Sequence, residues 1–279
     1  MGRANRGHRV HSEHGKHVAS AVHAAATALL AVAPLCVVAQ SNASLPFAAG
    51  ERIDYRVHAT LVGTVGRGSM WIEGPVEVRG SRTLHLRSEF RAQFGWYRAF
   101  DRSDSWLDPE RMAVLRFAKD ERQPRNTTEE RVEVFPGEQR WSNARGQERV
   151  SETDAPLDEL SFIYYVRTLP LSGDTTYVVR RHFDPARNPV TVRVLKREVT
   201  RTDAGEFRTI VVEMRVTDPM RFRREGVIKL FLTDDHCRLP VRIETAAPVF
   251  GTAVFTAVSI TRGNAVILAT APEQQGGNQ

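Results

Sequence analysis

The sequence predicts an all-β, mainly antiparallel protein: a strongly curved sheet or half-barrel of about twelve strands wrapping one short central helix. Two observations carry this. Many segments alternate apolar and polar residues with period two, the pattern of strands with one buried and one wet face. One stretch alone breaks that pattern and reads as a helix. Strands do not alternate with long helices, which excludes a doubly wound α/β fold, and no fixed repeat stands out, which excludes a propeller or solenoid.

The strands follow in order. Ile53, Tyr55, Val57, Ala59 and Leu61 face one way, and Arg52, Asp54, Arg56, His58 and Thr60 the other. Leu84, Leu86, Phe90, Ala92 and Phe94 alternate with His85, Arg87, Glu89, Arg91 and Gln93. Ile210, Val212, Met214 and Val216 form a third such set, and Leu239, Val241 and Ile243 a fourth. Further strands are expected at 65–73, 97–107, 112–118, 130–135, 175–183, 190–199, 227–233 and 252–261, separated by turns carrying Gly, Asp, Asn or Pro.

The helix is expected over 156–168. Asp154 and Pro156 suit a first helical turn, and Pro170 and Gly173 end it. Leu157, Leu160, Ile163 and Tyr164 share one face, while Phe162, Tyr165, Val166 and Leu169 cover much of the rest. A short helix that is apolar on most sides is a buried one, so it packs into the concave side of the sheet. Asp158 and Arg167 are expected to complement the two ends of its dipole.

The chain has 279 residues, 41% of them hydrophobic, and a net charge of +6. Residues 1–18 are basic, and Ala19–Ala39 is nearly all Ala, Val and Leu, ending in Val37-Val38-Ala39. A basic start, a short apolar stretch and small residues before a break read as a signal peptide, cleaved after Ala39. A retained anchor and a lipid-modified Cys36 are the alternatives. Half of the net charge of +6 lies in 1–39, as Arg3, Arg6, Arg9 and Lys16 against Glu13. The remaining surface is nearly balanced, and the basic excess speaks of address, not of nucleic acid. The expected location is the periplasm. The domain is expected over 40–262, followed by a disordered polar tail over 263–279.

No motif carries a recognised chemistry. Ser161, His182 and His236 assemble into a triad only on paper, since there is no Gly-x-Ser-x-Gly elbow and Ser161 lies in the helix. Asp234-Asp235-His236 reads as a turn between strands, and Gly63-Thr64-Val65-Gly66-Arg67-Gly68 as a hairpin or bulge with no P-loop lysine. Arg180-Arg181 and the Arg221, Phe222, Arg223, Arg224 cluster read as solvated charge; an anionic envelope surface is a more available partner for the latter than nucleic acid. Cys237 remains as a lone thiol once Cys36 is removed. No cofactor and no metal are expected.

The segments Gly50-Glu51-Arg52-Ile53-Asp54-Tyr55, Asp158-Glu159-Leu160-Ser161-Phe162-Ile163-Tyr164-Tyr165-Val166-Arg167 with Pro170-Leu171-Ser172-Gly173, and Leu232-Thr233-Asp234-Asp235 followed by Leu239-Pro240-Val241 resemble the bacterial exported family known as domain of unknown function 3108. The resemblance covers roughly 48–262 and rests most on the central segment. It implies an exported, all-β envelope protein with no assigned activity, and it carries over no catalytic residue.

The expected function is therefore non-enzymatic: an exported periplasmic β-protein binding a lipid or other apolar ligand in the concave face of its sheet, with peripheral membrane contact. The candidate ligand-lining residues are Tyr55, Val57, Phe90, Phe94, Trp106 and Tyr165. The alternatives are that these residues fill a dry core of an envelope accessory protein without a small ligand, or that the chain is an unrecognised enzyme. The interior decides between the first two: a void of several hundred cubic ångströms favours binding, close packing a scaffold.

Overall fold

A computed structural model describes residues 44–124, 126–217, 225–247 and 250–263. The leader, the tail beyond 263 and the Arg221–Arg224 cluster lie outside the described residues.

The described chain is one antiparallel sheet of 14 strands with one helix. The first eight strands are β1 (Arg52–Ala59), β2 (Gly63–Val78), β3 (Ser81–Phe94), β4 (Tyr97–Asp108), β5 (Ala113–Gln123), β6 (Asn126–Phe135), β7 (Arg140–Asn143) and β8 (Glu148–Val150). Helix α1 (Glu159–Thr168) follows. Then come β9 (Thr176–Val179), β10 (Val190–Thr202), β11 (Gly205–Val216), β12 (Gly226–Thr233), β13 (Pro240–Ala247) and β14 (Gly251–Thr261). Each strand pairs with its sequence neighbour, and the two halves join where β1 pairs with β14. The edges are β8 and β9, which do not pair, so the sheet is curved but not closed.

The expected twelve strands are all present, most of them longer than the periodicity indicated. The two additional ones, β7 and β8, are four and three residues long. In β1 the alternation holds residue by residue: Ile53, Tyr55, Val57 and Ala59 are buried. Leu61 departs from it, since it sits in the β1–β2 turn and is exposed. At Gly63–Gly68 the pairing with β1 shifts register between Val57 and His58, so these glycines belong to a bulged strand. A Cβ on Gly66 would lie 2.0 Å from the Arg91 carbonyl oxygen, which is why a side chain is excluded there.

The helix starts later than expected. Leu157 is tied into the sheet side: its N–H donates to the Arg181 carbonyl at 2.5 Å and its carbonyl accepts from Phe183 N–H at 2.9 Å. The N-cap is therefore Asp158, whose carboxylate accepts from the backbone N–H of Leu160 (2.9 Å) and Ser161 (2.8 Å), while Ser161 Oγ accepts from the Asp158 N–H (2.8 Å). This reciprocal pair satisfies donors that a helix start otherwise leaves open.

At the other end the expectation for Arg167 fails. Its guanidinium turns away from the helix carbonyls into the core, donating to Glu51, to Pro46 O and to Cys237 O. Arg238 takes the capping role instead, donating to the carbonyls of Arg167 (2.8 Å) and Leu169.

The main core gathers inward residues of β1–β4 and β10–β14 around Leu160, Phe162, Tyr164 and Val166 of α1. A smaller cluster joins Phe117, Val132, Val134 and Trp141 to Phe183 in the loop after β9. The Phe183 ring meets Trp141 edge-on at 5.2 Å and Phe117 at 6.1 Å. That loop also carries Arg187, which pairs with Glu130 of β6 (3.3 Å) and with Glu159 of α1. Side chains thus span the gap between the two sheet edges, beside one isolated backbone bridge between Leu157 and His182 and a bond from Val114 N–H of β5 to the Pro156 carbonyl at 2.8 Å.

Candidate functional site

Between α1 and the hairpin ends of the sheet lies a cavity of about 550 Å³. Its wall has two sides. One is apolar: Tyr55, Val57, Met70, Phe90, Met214, Ile228, Ile243 and Phe255 from the strands, with Leu160, Phe162 and Ile163 from the helix. The other is polar: Asp101 and Ser103 of β4 and Lys119, Glu121 and Gln123 of β5, continued by Glu159, His182 and Arg187. Lys119 and Glu121 are both buried and 3.6 Å apart.

Alternation places these groups. In β4 the inward set includes Ala99, Asp101 and Ser103, and in β5 Lys119, Glu121 and Gln123, so both strands turn polar groups to the cavity. A buried charge requires compensation, and the loop after β9 supplies it by bringing Arg187 between Glu130 and Glu159.

The charges beneath the cavity shift accordingly. Burial pushes the Glu159 carboxyl up, but Arg187, His182 and Lys119 outweigh it and hold the group down at about 2. Burial, and then Glu159, raise the Glu130 carboxyl. Burial lowers the His182 imidazole to about 4, so it is neutral at physiological pH. Its Nδ1 accepts the Asp184 N–H at 3.0 Å, which puts the proton of the neutral ring on Nε2. That Nε2 is buried without a hydrogen-bond partner among the described residues. Burial also raises Asp158 to about 7, against the hydrogen bond from Ser105 Oγ at 2.5 Å.

Four of the six sequence-predicted residues, Tyr55, Val57, Phe90 and Phe94, line this cavity. Two do not. Trp106 points outward: a register shift sits between Trp106 and Leu107, and Leu107 takes the buried place. The Trp106 ring stacks on His85 at 4.2 Å with the Arg116 guanidinium 5.5 Å from its centroid. Tyr165 lies on the side of α1 under Arg181, whose guanidinium is 4.7 Å from its ring. The polar wall, by contrast, carried no sequence signal as a site, because charged residues on a strand read as its wet face.

The residues of the paper triad disperse, and the expected turn is present. The His182 ring lies parallel to Phe162 and tilted against Phe183, and Ser161 caps the helix. Asp235 accepts from Thr233 Oγ1 (2.7 Å) and the Arg238 N–H (3.0 Å), and Asp234 pairs with Arg197, which makes Asp234-Asp235-His236 a turn. Cys237 contributes its carbonyl to Arg167.

These features define a β-barrel-like protein: an open antiparallel sheet floored by a helix and enclosing a cavity. The chain belongs to the family of proteins of unknown function DUF3108, matched over residues 54–258. No curated protein matches it. Among solved structures it is similar to a β-barrel-like protein of domain of unknown function DUF1849 from Brucella abortus, with 12% identity, a TM-score of 0.54, and coverage of 76% of this chain and 97% of that one. It is also similar to a candidate exported protein with a YmcC-like fold from Bacteroides fragilis (12% identity, TM-score 0.28, 78% and 99% covered). A candidate lipoprotein from Parabacteroides distasonis matches at 10% identity and a TM-score of 0.27, with 78% and 99% covered. The likeness to the Brucella protein extends to the fold.

Proposed function

We propose that this protein is an exported, non-enzymatic protein of the periplasm that binds a lipid or other apolar ligand in the concave face of its sheet. The single observation that carries the reading is the cavity of about 550 Å³ with a continuous apolar wall. Ligand pockets typically measure about 300–1,000 Å³ and are mostly apolar with a few placed polar groups. The leader-like segment ending at Ala39 supports export.

The test is extraction of the natively purified protein followed by lipid mass spectrometry. The expected result is one lipid class in near-stoichiometric amount. Absence of co-purified lipid, together with no uptake of a fluorescent fatty acid, would overturn the reading in favour of an accessory protein with no small ligand.

A further inference from the structure

The hairpin end of the sheet is built unlike a solvated surface. Leu61 in the β1–β2 turn and Trp96 in the β3–β4 turn are 73% and 77% exposed, and Phe94 is 45% exposed. They are not scattered. The Leu61 N–H donates to the Phe250 carbonyl at 3.3 Å. The Phe250 ring meets Phe94 at 6.1 Å and Tyr97 at 4.8 Å, and Tyr97 meets Trp96 at 6.3 Å. Three hairpins thus present one apolar ledge. Phe94, Tyr97 and Phe250 also line the cavity, so the ledge is its lip. Contiguous exposed apolar groups rimmed by polar ones mark interaction surfaces.

Behind the ledge, on the outer face, runs a row of arginines. Arg56 faces Arg67 across β1 and β2, and Arg67 faces Arg91 across β2 and β3. Arg91 faces Phe100 in β4, which in turn faces Arg122 in β5. Like charges directly opposite on neighbouring strands are destabilising. Acids compensate part of the row: Arg56 pairs with Asp203 at 2.6 Å and Arg91 with Glu89 at 2.7 Å. Among the described residues no carboxylate lies within ion-pair distance of Arg67, Arg122 or the neighbouring Arg98. The row therefore keeps a positive excess next to the ledge.

Aromatic and aliphatic tips backed by uncompensated guanidinium groups fit a bilayer interface. The tips enter the boundary between headgroups and acyl chains, and the arginines lie at the level of the phosphates. We propose that this end of the sheet docks on an anionic phospholipid surface and turns the mouth of the cavity toward the acyl chains. The docking goes beyond cavity binding and does not require an occupied cavity, so a failed docking test leaves the lipid-extraction result to be judged separately.

Flotation of the processed full chain with vesicles tests it. Vesicles of phosphatidylglycerol and phosphatidylethanolamine are expected to carry the protein, and pure phosphatidylcholine vesicles to carry it at least about fivefold less, with binding weakening as salt rises. Trp96→Ser combined with Leu61→Ser, and separately Arg67→Glu combined with Arg98→Glu, are each expected to weaken binding at least about tenfold. Arg82→Glu, exposed at the opposite β2–β3 hairpin, is expected to leave it within about twofold. These side chains are exposed, so circular dichroism of each variant should match the parent. Absence of anionic-vesicle binding, or equal binding by the paired variants, would overturn the proposal. A concentration-dependent dimer abolished by Trp96→Ser, without vesicle binding, would assign the ledge to a second copy and overturn it equally.

Discussion

Arg167 of the helix grips Glu51, the residue just before β1, through two hydrogen bonds of 2.6 and 2.7 Å, with the arginine side chain wholly shielded from water. The guanidinium also lies 5.3 Å from the rings of both Phe47 and Tyr164. Removing one partner of such a pair strands the other charge in the core. Arg167→Ala is expected to cost about 3–5 kcal/mol, read as a lowered urea midpoint, whereas the apolar double variant Arg167→Met, Glu51→Leu should recover most of that loss. A midpoint equal to the parent in the single variant would refute the structural role.

Two buried groups give opposite pH dependences. Asp158 has its carboxyl raised to about 7, so the unfolded chain ionises first and stability falls as pH rises from about 4 to about 7. His182 is held at about 4, so the unfolded chain takes up the proton first and stability falls as pH drops from about 6.5 to about 4. Each masks the other. Asp158→Asn, which keeps a helix-capping acceptor, is expected to steepen the loss of Tm on acidification. His182→Asn, which keeps an acceptor for the Asp184 N–H, is expected to leave a Tm that declines as pH rises. Thermal unfolding across pH 4–7 checks both slopes.

Filling the cavity separates binding from folding. Ala92 lines the chamber and is half-buried. Ala92→Trp places an indole in open space, so the protein should fold with near-parental Tm and lose most of its co-purifying lipid. Undiminished lipid in this variant would place the ligand elsewhere.

The gap between the sheet edges depends on Phe183. Its ring is fully buried against Trp141 and Phe117. Phe183→Ala is expected to cost about 3–5 kcal/mol. Hydrogen exchange should rise first in β6 and β7, which carry the other side of that contact. Uniform loss of protection across the whole sheet would contradict this local role.

The strands were legible wherever one face is apolar and the other wet, as in β1 and β11, because period two then reports burial directly. β7 and β8 were not, since Arg140-Trp141-Ser142-Asn143 and Glu148-Arg149-Val150 are too short to show a period. Four cavity residues were legible as large apolar groups on strand faces. Trp106 misled for the same reason: size argued for the inside, while the register shift beside it turns the ring out. Tyr165 misled because a helix apolar all round does not declare which side meets which neighbour. The polar wall was hidden most deeply, since Lys119 and Glu121 read as the wet face of a strand, whereas both are buried on the cavity side and lie 3.6 Å apart.

The seam between β1 and β14 has a consequence for the order in which the molecule can complete itself. Arg52 of β1 faces Thr261 of β14, so the first of the described strands finds its second partner in the last of them. Until 251–261 has emerged, β1 keeps one row of backbone donors and acceptors open. Contacts this distant in sequence demand the costliest loop closure and come late. β1 therefore stays unlatched along that edge while the other described strands pair, and the seam closes only once 251–261 is available.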